Sequence, residues 1–256
     1  MQTARLLDIE FAFKQIGKPP GADVSQFIWA HGWMQSHSAL LPLAQSLDRV
    51  GSHLLIDFPG FGASPKPPDV WGTRDYADNI AVWLKSFLCR KRIWVGHSFG
   101  CRVGIQLAAH YPQLIDGLFL IAAPGLPTDL TWKKYKIKMK IYAYKGLKRL
   151  VPLGLNKQWL INRLGSQDYQ NSGMLRPVFI KVVSEDLTEV ASRIQCPVHL
   201  VYGEQDTEAL PAIGQRYSEL IQNASFHLLP RYNHYNILTA GRHQVLHQLK
   251  EFMGRV

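Results

Sequence analysis

Short apolar runs alternate with amphipathic stretches along most of this chain, and this alternation predicts a repeated strand–helix order. Patterns typical of strands occupy residues 6–13, 26–30, 53–58, 93–95, 117–123, 197–202 and 225–229. Apolar residues recur at helical spacing over 36–50, 73–88, 101–111, 210–221 and 237–252. Strands that alternate with helices of this length indicate a mostly parallel sheet flanked by helices. We therefore predict an α/β fold.

One long stretch interrupts this order. From residue 126 to about residue 190 the apolar residues keep a helical spacing, and no strand pattern is convincing. Ligands of open parallel sheets bind at the carboxyl ends of the strands. We predict that residues 1–125 and 191–256 form the core domain, and that residues 126–190 form a helical cap over that edge of the sheet.

The charge of the chain is concentrated in the predicted cap. The 256 residues include 29 Lys and Arg and 19 Asp and Glu, for a net charge of +10. Ten of the basic residues and none of the acidic ones lie within residues 130–167. A solvated helix face explains such a run, and so does a surface that binds an acidic carrier protein, an anionic lipid surface or an anionic substrate. The candidate binding residues are Lys133, Lys134, Lys136 and Lys138.

Composition narrows the class of protein further. Apolar residues make up 46% of the chain, but no run is long enough to suggest a membrane-spanning helix. Residues 1–5 lead into a strand pattern without the apolar core of an export signal. Cys89, Cys101 and Cys196 have the spacing of neither a disulfide framework nor a metal site. We expect a cytoplasmic protein, and nucleic acid is an improbable partner because no known binding module accompanies the charge.

The strongest chemical signal is a serine between two glycines at a predicted strand-to-helix junction. Gly96 and Gly100 flank Ser98 in the pattern G-x-S-x-G. A tight turn at this place lifts the hydroxyl clear of the backbone at the carboxyl edge of the sheet, which is what an alcohol nucleophile needs. We predict that Ser98 is the nucleophile.

A serine hydroxyl also needs a base and a group that orients the base. His234 follows the strand at 225–229 and is the predicted base, whereas Asp206 follows the strand at 197–202 and is the predicted orienting acid. Glu204 competes with Asp206 for that role. Asp57 also ends a strand, but its expected role is to stabilise the turn that follows.

An acyl-transfer site also stabilises the negative charge that develops on the carbonyl oxygen. The Phe99 N–H follows the nucleophile directly, and the Trp33 N–H lies in the loop after the strand at 26–30. We predict that these two amides form the oxyanion hole. Gly32 allows a close approach of the backbone, and His31 is expected to brace the loop.

Five motifs in this order and spacing resemble the α/β-hydrolase fold superfamily over essentially the whole chain. They are H-G-W at 31–33, D-F-P-G-F-G-A-S at 57–64, G-H-S-F-G at 96–100, Y-G-E-Q-D at 202–206 and N-H at 233–234. The resemblance implies a triad of Ser98, Asp206 and His234, with Trp33 and Phe99 at the oxyanion hole. Two departures are Asn233, where a glycine is frequent, and Cys101, where a second glycine is common.

The nucleophile and the cap are similar to those of small carboxylesterases, among them the biotin-pathway esterases that cleave pimeloyl-carrier-protein methyl ester. A serine at position 98 argues against the branches of the superfamily that use an aspartate nucleophile. The expected activity is hydrolysis of a carboxylic ester through an acyl-enzyme on Ser98, without a metal or cofactor. An acyl thioesterase, a hydrolase of C–C bonds and a non-catalytic ligand-binding homologue stay open as alternatives.

Overall fold

One eight-stranded sheet organises the protein in a computed structural model, which describes residues 1–6, 9–127, 168 and 171–256. The strands are β1 (Gln2–Leu6), β2 (Ile9–Gly17), β3 (Gln26–Ala30), β4 (Ser52–Ile56), β5 (Arg92–His97), β6 (Gly117–Ile121), β7 (Val198–Gly203) and β8 (Ala224–Leu229). Their spatial order is β1-β2-β4-β3-β5-β6-β7-β8. All pairs from β4 to β8 are parallel, and β2 pairs antiparallel with β1 and β4. The predicted α/β fold with a mostly parallel sheet is confirmed.

Helices connect the strands and pack on the sheet. The α-helices of the described residues are α1 (Leu41–Gln45), α2 (Thr73–Leu84), α3 (Phe99–His110), α4 (Arg176–Ser184), α5 (Thr188–Ala191), α6 (Pro211–Leu220) and α7 (Arg242–Met253). Helix α3 packs on β5 and on α2, and α6 packs on β7 and β8. The predicted apolar face of α2 is buried at Tyr76, Ile80, Trp83 and Leu84.

The core lies around the central strands. Every residue of β3, β4, β5, β6 and β7 is buried, as expected for parallel strands that are covered on both faces. Trp94 of β5 is fully buried and its indole N–H donates to the Gly100 carbonyl at 2.9 Å. This bond ties the strand to the first turn of α3 and so fixes the junction that carries Ser98.

Several predicted element boundaries were wrong. Residues 6–13 were predicted to form one strand, but Leu6 ends β1 and residues 9–13 belong to β2; the two strands pair from Gln2 opposite Phe13 to Leu6 opposite Ile9. Both strands of a hairpin have the same two-residue alternation, so the pattern does not mark where one ends. The helix expected over 36–50 is reduced to the short α1, in which Pro42 is confined to the first turn because it lacks an N–H.

The last predicted helix also starts later than expected. A 3₁₀ turn at Asn236–Leu238 precedes α7, so the pattern over 237–252 spans two elements. The helix predicted over 73–88 begins at Thr73, as expected, but its N-cap residue is Gly72. Glu185, which directly follows α4, supplies the cap: its carboxylate accepts the Thr73 N–H at 2.8 Å and the Thr73 hydroxyl.

The division into a core of 1–125 and 191–256 and a cap of 126–190 stays a prediction, because much of the cap lies outside the described residues. Its described part contains a 3₁₀ turn at Gly173–Leu175, followed by α4 and α5. Among the described residues, no helix combines the length and the apolar character needed to cross a bilayer.

We expect Gly100→Ala to disrupt the junction between β5 and α3. A Cβ at position 100 would overlap the carbonyl oxygen of Ala30 on the neighbouring strand, where the backbone cannot move aside. The free energy of unfolding, measured by urea denaturation, should fall by roughly 3 kcal/mol. Gly21→Ala is the matched control, since its nearest atom would be Val24 Cγ2 at 3.9 Å. Equal stability of the two variants would contradict this account.

Candidate active site

Ser98 lies in a strained backbone conformation between β5 and α3. Its φ of 49° and ψ of −107° lie in a region that non-glycine residues rarely adopt. The Ser98 N–H donates to the Ile121 carbonyl at 3.0 Å, which holds the turn against β6. A Cβ at Gly96 would lie 2.8 Å from the Gly100 carbonyl carbon, so the two flanking glycines permit the close packing.

The structure brings Ser98, His234 and Asp206 into one hydrogen-bonded series. The Ser98 hydroxyl is 2.9 Å from Nε2 of His234, and Nδ1 of His234 is 2.7 Å from Oδ2 of Asp206. Because a carboxylate only accepts, Nδ1 is the donor and Nε2 is free to accept the serine proton. Asp206 is fixed in turn by the N–H groups of Glu208 and Ala209, both 2.8 Å from Oδ1.

The competitor Glu204 and the strand-end carboxylate Asp57 both bind groups other than His234. Glu204 is exposed, and its side chain accepts the Arg231 N–H at 3.3 Å. Asp57 is fully buried and accepts the N–H groups of His37 at 2.6 Å and Ala63 at 3.0 Å. It thus joins the loop after β3 to the turn after β4, in line with the structural role expected from the sequence.

The loop that carries His234 is held from two sides. Oδ1 of Asn233 accepts the N–H groups of Tyr235 and Asn236 at 3.0 and 2.9 Å, which explains an asparagine where related motifs have a glycine. On the other side, Nε2 of His97 donates to the His234 carbonyl at 3.0 Å. His97 precedes Ser98 in the chain, so one strand end positions both partners of the proton transfer. Cys101, on α3, is the second departure from the family motif. Its thiol donates a hydrogen bond to the Ile121 carbonyl of β6.

The loop after β3 lies beside Ser98. His31 is buried, donates through Nδ1 to the Gly32 carbonyl at 2.7 Å and accepts the Phe58 N–H through Nε2 at 3.1 Å, as expected for a bracing residue. The Trp33 ring packs on Phe99 with centroids 5.5 Å apart. Phe99 is the first residue of α3, so its N–H has no intrahelical acceptor.

The described residues around Ser98 line a cavity of about 220 Å³. Its apolar walls come from the loop after β3, the start of α3, the loop after β6 and helix α4, with Trp33, Phe99, Pro124, Phe179, Val182 and Val183. Its polar groups besides Ser98 and His234 are Arg102, Asp168 and Glu208. Helix α4 therefore covers the carboxyl edge of the sheet, where the sequence pattern predicted a cap.

Burial shifts the pKa of two of these polar groups, Arg102 and Asp168. Desolvation lowers the pKa of the Arg102 guanidinium, although this group remains charged. Desolvation and the nearby Glu208 raise the pKa of Asp168. The sequence analysis named none of Arg102, Asp168 and Glu208 as a site residue. Arg102 has a recognisable signal: it interrupts the apolar run of α3 one helical turn after the serine.

The four lysines predicted to bind a partner, at positions 133, 134, 136 and 138, lie outside the described residues. Within the described ranges, no cluster of three or more His, Cys, Asp or Glu side chains has the arrangement of a metal site.

The chain matches the model of the alpha/beta hydrolase family over residues 27–247, and it belongs to that family. It is similar to the pimeloyl-[acyl-carrier protein] methyl ester esterase of Chromobacterium violaceum, with 26% identity over 231 residues that cover 84% of this chain and 87% of that protein. It is also similar to the 2-(acetamidomethylene)succinate hydrolase of Mesorhizobium japonicum, with 32% identity over 94 residues, or 37% of this chain and 34% of that one. The protein is therefore a hydrolase by family and by its relatives.

A solved structure supports the fold alone. The alpha/beta hydrolase MGS-M2, from a Medee basin deep-sea metagenome library, superposes with a TM-score of 0.76 at 15% identity and covers 98% of this chain and 97% of its own.

We expect stability to decrease in mild acid because two buried histidines stay neutral in the folded protein. Burial lowers the pKa of His31 to about 4, and burial together with the neighbouring His234 lowers that of His97 to about 3. An unfolded histidine takes up a proton below about pH 6.5, so the unfolded state binds more protons from there down to about pH 4. The free energy of unfolding should therefore fall by about 1.4 kcal/mol per pH unit for each histidine in that range.

Denaturation of His31→Gln in urea at several pH values between 5 and 6 tests this expectation, because glutamine does not titrate there. Its pH slope should be smaller than that of the parent by about 1.4 kcal/mol per pH unit. His243→Gln, at an exposed position of α7, should keep the parent slope. An unchanged slope for His31→Gln would show that this imidazole is not the source.

Proposed function

We propose that the protein is a serine hydrolase of carboxylic esters, with Ser98 as nucleophile, His234 as general base and Asp206 as the group that orients His234. The observation that carries the proposal is the continuous hydrogen bonding from Ser98 through His234 to Asp206 beside a cavity with both apolar and charged walls. A buried carboxylate with three hydrogen bonds has a fixed orientation, and it fixes the imidazole in the tautomer that can accept a proton.

In the first half-reaction, Oγ of Ser98 attacks the ester carbonyl carbon while Nε2 of His234 takes its proton. The carbonyl π electrons move to oxygen, and we assign the N–H groups of Trp33 and Phe99 as the donors to this oxyanion. Asp206 stabilises the imidazolium. When the intermediate collapses, the bond to the alcohol oxygen breaks and His234 returns the proton to the leaving alkoxide, which departs as the alcohol.

In the second half-reaction, water replaces the alcohol. His234 takes a proton from this water as the oxygen attacks the acyl-enzyme carbonyl, and it returns the proton to Oγ as the acyl bond to Ser98 breaks. The products are the carboxylic acid and the regenerated serine.

We also propose a cytoplasmic location, supported by three cysteines that are all free thiols.

Ser98→Ala should lower kcat/KM for p-nitrophenyl butyrate by about 10³-fold or more, because the remaining groups supply no nucleophile. A fluorophosphonate probe should label the parent protein and not the variant. Ser218→Ala, at a partly exposed position of α6, is the control and should retain activity and labelling. Hydrolysis by Ser98→Ala at the parent rate, with labelling retained, would refute the nucleophile assignment.

A second candidate substrate is an ester on an acidic acyl carrier protein, such as pimeloyl-carrier-protein methyl ester. One specific observation favours it: the ten basic residues of 130–167 fall between Pro124 and Asp168, both of which line the cavity. The name of the Chromobacterium violaceum relative points the same way. On this proposal, the lysines at 133, 134, 136 and 138 bind the acidic surface of the carrier and present its acyl chain to Ser98.

Changing these four lysines to glutamine should reduce kcat/KM for the carrier-bound ester about 10-fold or more at low salt, and added salt should diminish the difference. The same variant should hydrolyse p-nitrophenyl butyrate like the parent. The control changes four lysines of the predicted core domain to glutamine, at Lys14, Lys18, Lys85 and Lys250. Equal losses on the small and the carrier-bound ester would contradict docking at these lysines.

A further inference from the structure

Arg102 is a buried cation on the wall of the cavity that the proposed reaction does not use. The residue is only 7% exposed, and it lies on α3 four positions after Ser98, which is about 6 Å along the helix axis. Together with Ser98 and His234 it lines the cavity. A guanidinium carries five N–H donors in a rigid planar fork, so its burial needs acceptors.

The described residues offer few hydrogen-bond acceptors to the Arg102 guanidinium. Among the described residues, Arg102 makes one hydrogen bond, from a terminal nitrogen to the Glu185 backbone carbonyl at the long distance of 3.4 Å, and no ion pair. The Glu185 carboxylate binds the N–H and the hydroxyl of Thr73 rather than the Arg102 guanidinium. Within the described ranges, most of the guanidinium fork therefore has no hydrogen-bond acceptor.

The cavity also has two acidic lining groups, Asp168 and Glu208. Asp168 lies close enough to Glu208 and His234 for their charges to shift its pKa. Among the described residues, neither acid forms a hydrogen bond or an ion pair with Arg102. An anion in the cavity can therefore reach the Arg102 guanidinium, while the two acids oppose a high negative charge.

We propose that Arg102 binds a carboxylate of the substrate, so that the ester cleaved at Ser98 carries a free carboxylate a few bonds from the scissile carbonyl. This inference rests on the proposed function and names its substrate class. The planar fork of arginine matches the two oxygens of a carboxylate and binds them in parallel. A singly charged carboxylate fits better than a dianionic phosphate because Asp168 and Glu208 share the cavity.

The cavity size agrees with a short substrate. The part lined by the described residues has a volume of about 220 Å³, which accommodates a short acyl chain and is less than the roughly 300–1,000 Å³ typical of pockets for drug-sized ligands. Monoesters of short dicarboxylic acids have the required groups: an ester for Ser98, a short apolar chain for the aromatic walls and a carboxylate for Arg102. A carrier-bound methyl ester without a second acid group would leave the guanidinium unpaired, so small esters separate the two substrate proposals.

The test compares matched p-nitrophenyl esters of succinate, glutarate and adipate with those of butanoate, pentanoate and hexanoate. Each pair differs only in a terminal carboxylate or methyl group. The parent should prefer the anionic ester of at least one pair, and Arg102→Met should reduce the ratio of kcat/KM for that pair by roughly 10- to 100-fold, mainly through KM. Arg102→Lys should keep part of the preference, and Arg49→Met, at an exposed position, should keep all of it.

An unchanged ratio in Arg102→Met, or no anionic preference in the parent at any length, would overturn the proposal. If Arg102 had only a structural role, Arg102→Met would lower kcat/KM for both esters of a pair to the same extent and would also lower the melting temperature. If the parent hydrolyses none of the esters, the proposed function fails, and calorimetry still tests Arg102. Succinate, glutarate or adipate should then bind the parent and bind Arg102→Met at least about 10-fold more weakly; equal or absent binding would refute the carboxylate site.

Discussion

The turn between β5 and α3 is the constraint on which the rest of the site depends. Ser98 has a positive φ, and an ordinary turn would relax to a more common conformation. Here the strand is buried at every residue, its Trp94 holds the Gly100 carbonyl, and the Ser98 N–H is bound by β6. The sheet thus maintains a conformation that directs the hydroxyl toward His234, and the loops after β7 and β8 deliver the other two groups to the same edge.

Much of this arrangement could be predicted because it depends on local signals. The fold class follows from strand–helix alternation. The family follows from five short motifs, because their residues form the turns and the site at the ends of the strands. Chain order and strand ends were enough to nominate Ser98, Asp206 and His234, which the structure finds within hydrogen-bonding distance. The sequence favoured Asp206 and kept Glu204 as its competitor; in the structure Asp206 binds His234, whereas Glu204 accepts the Arg231 N–H.

Other features are set by contacts between distant segments and leave little trace in sequence. The late start of α7 and the shortness of α1 are decided by turns and by proline rather than by apolar spacing. Asn233 looked like a departure from its motif, yet its side chain accepts two backbone N–H groups and so holds the loop that carries His234. The sequence shows Arg102 as a charge within an apolar helix, but only the structure shows that it lines the cavity beside Ser98.

The Glu185 carboxylate links the cover of the cavity to the core in an energetic sense. It follows α4, which forms part of that cover, and it also caps the first turn of α2. Loss of a side-chain N-cap typically costs a helix about 0.5–2 kcal/mol. Any displacement of α4 that withdraws Glu185 would therefore destabilise α2, so the position of α4 over the cavity and the integrity of a core helix are thermodynamically coupled.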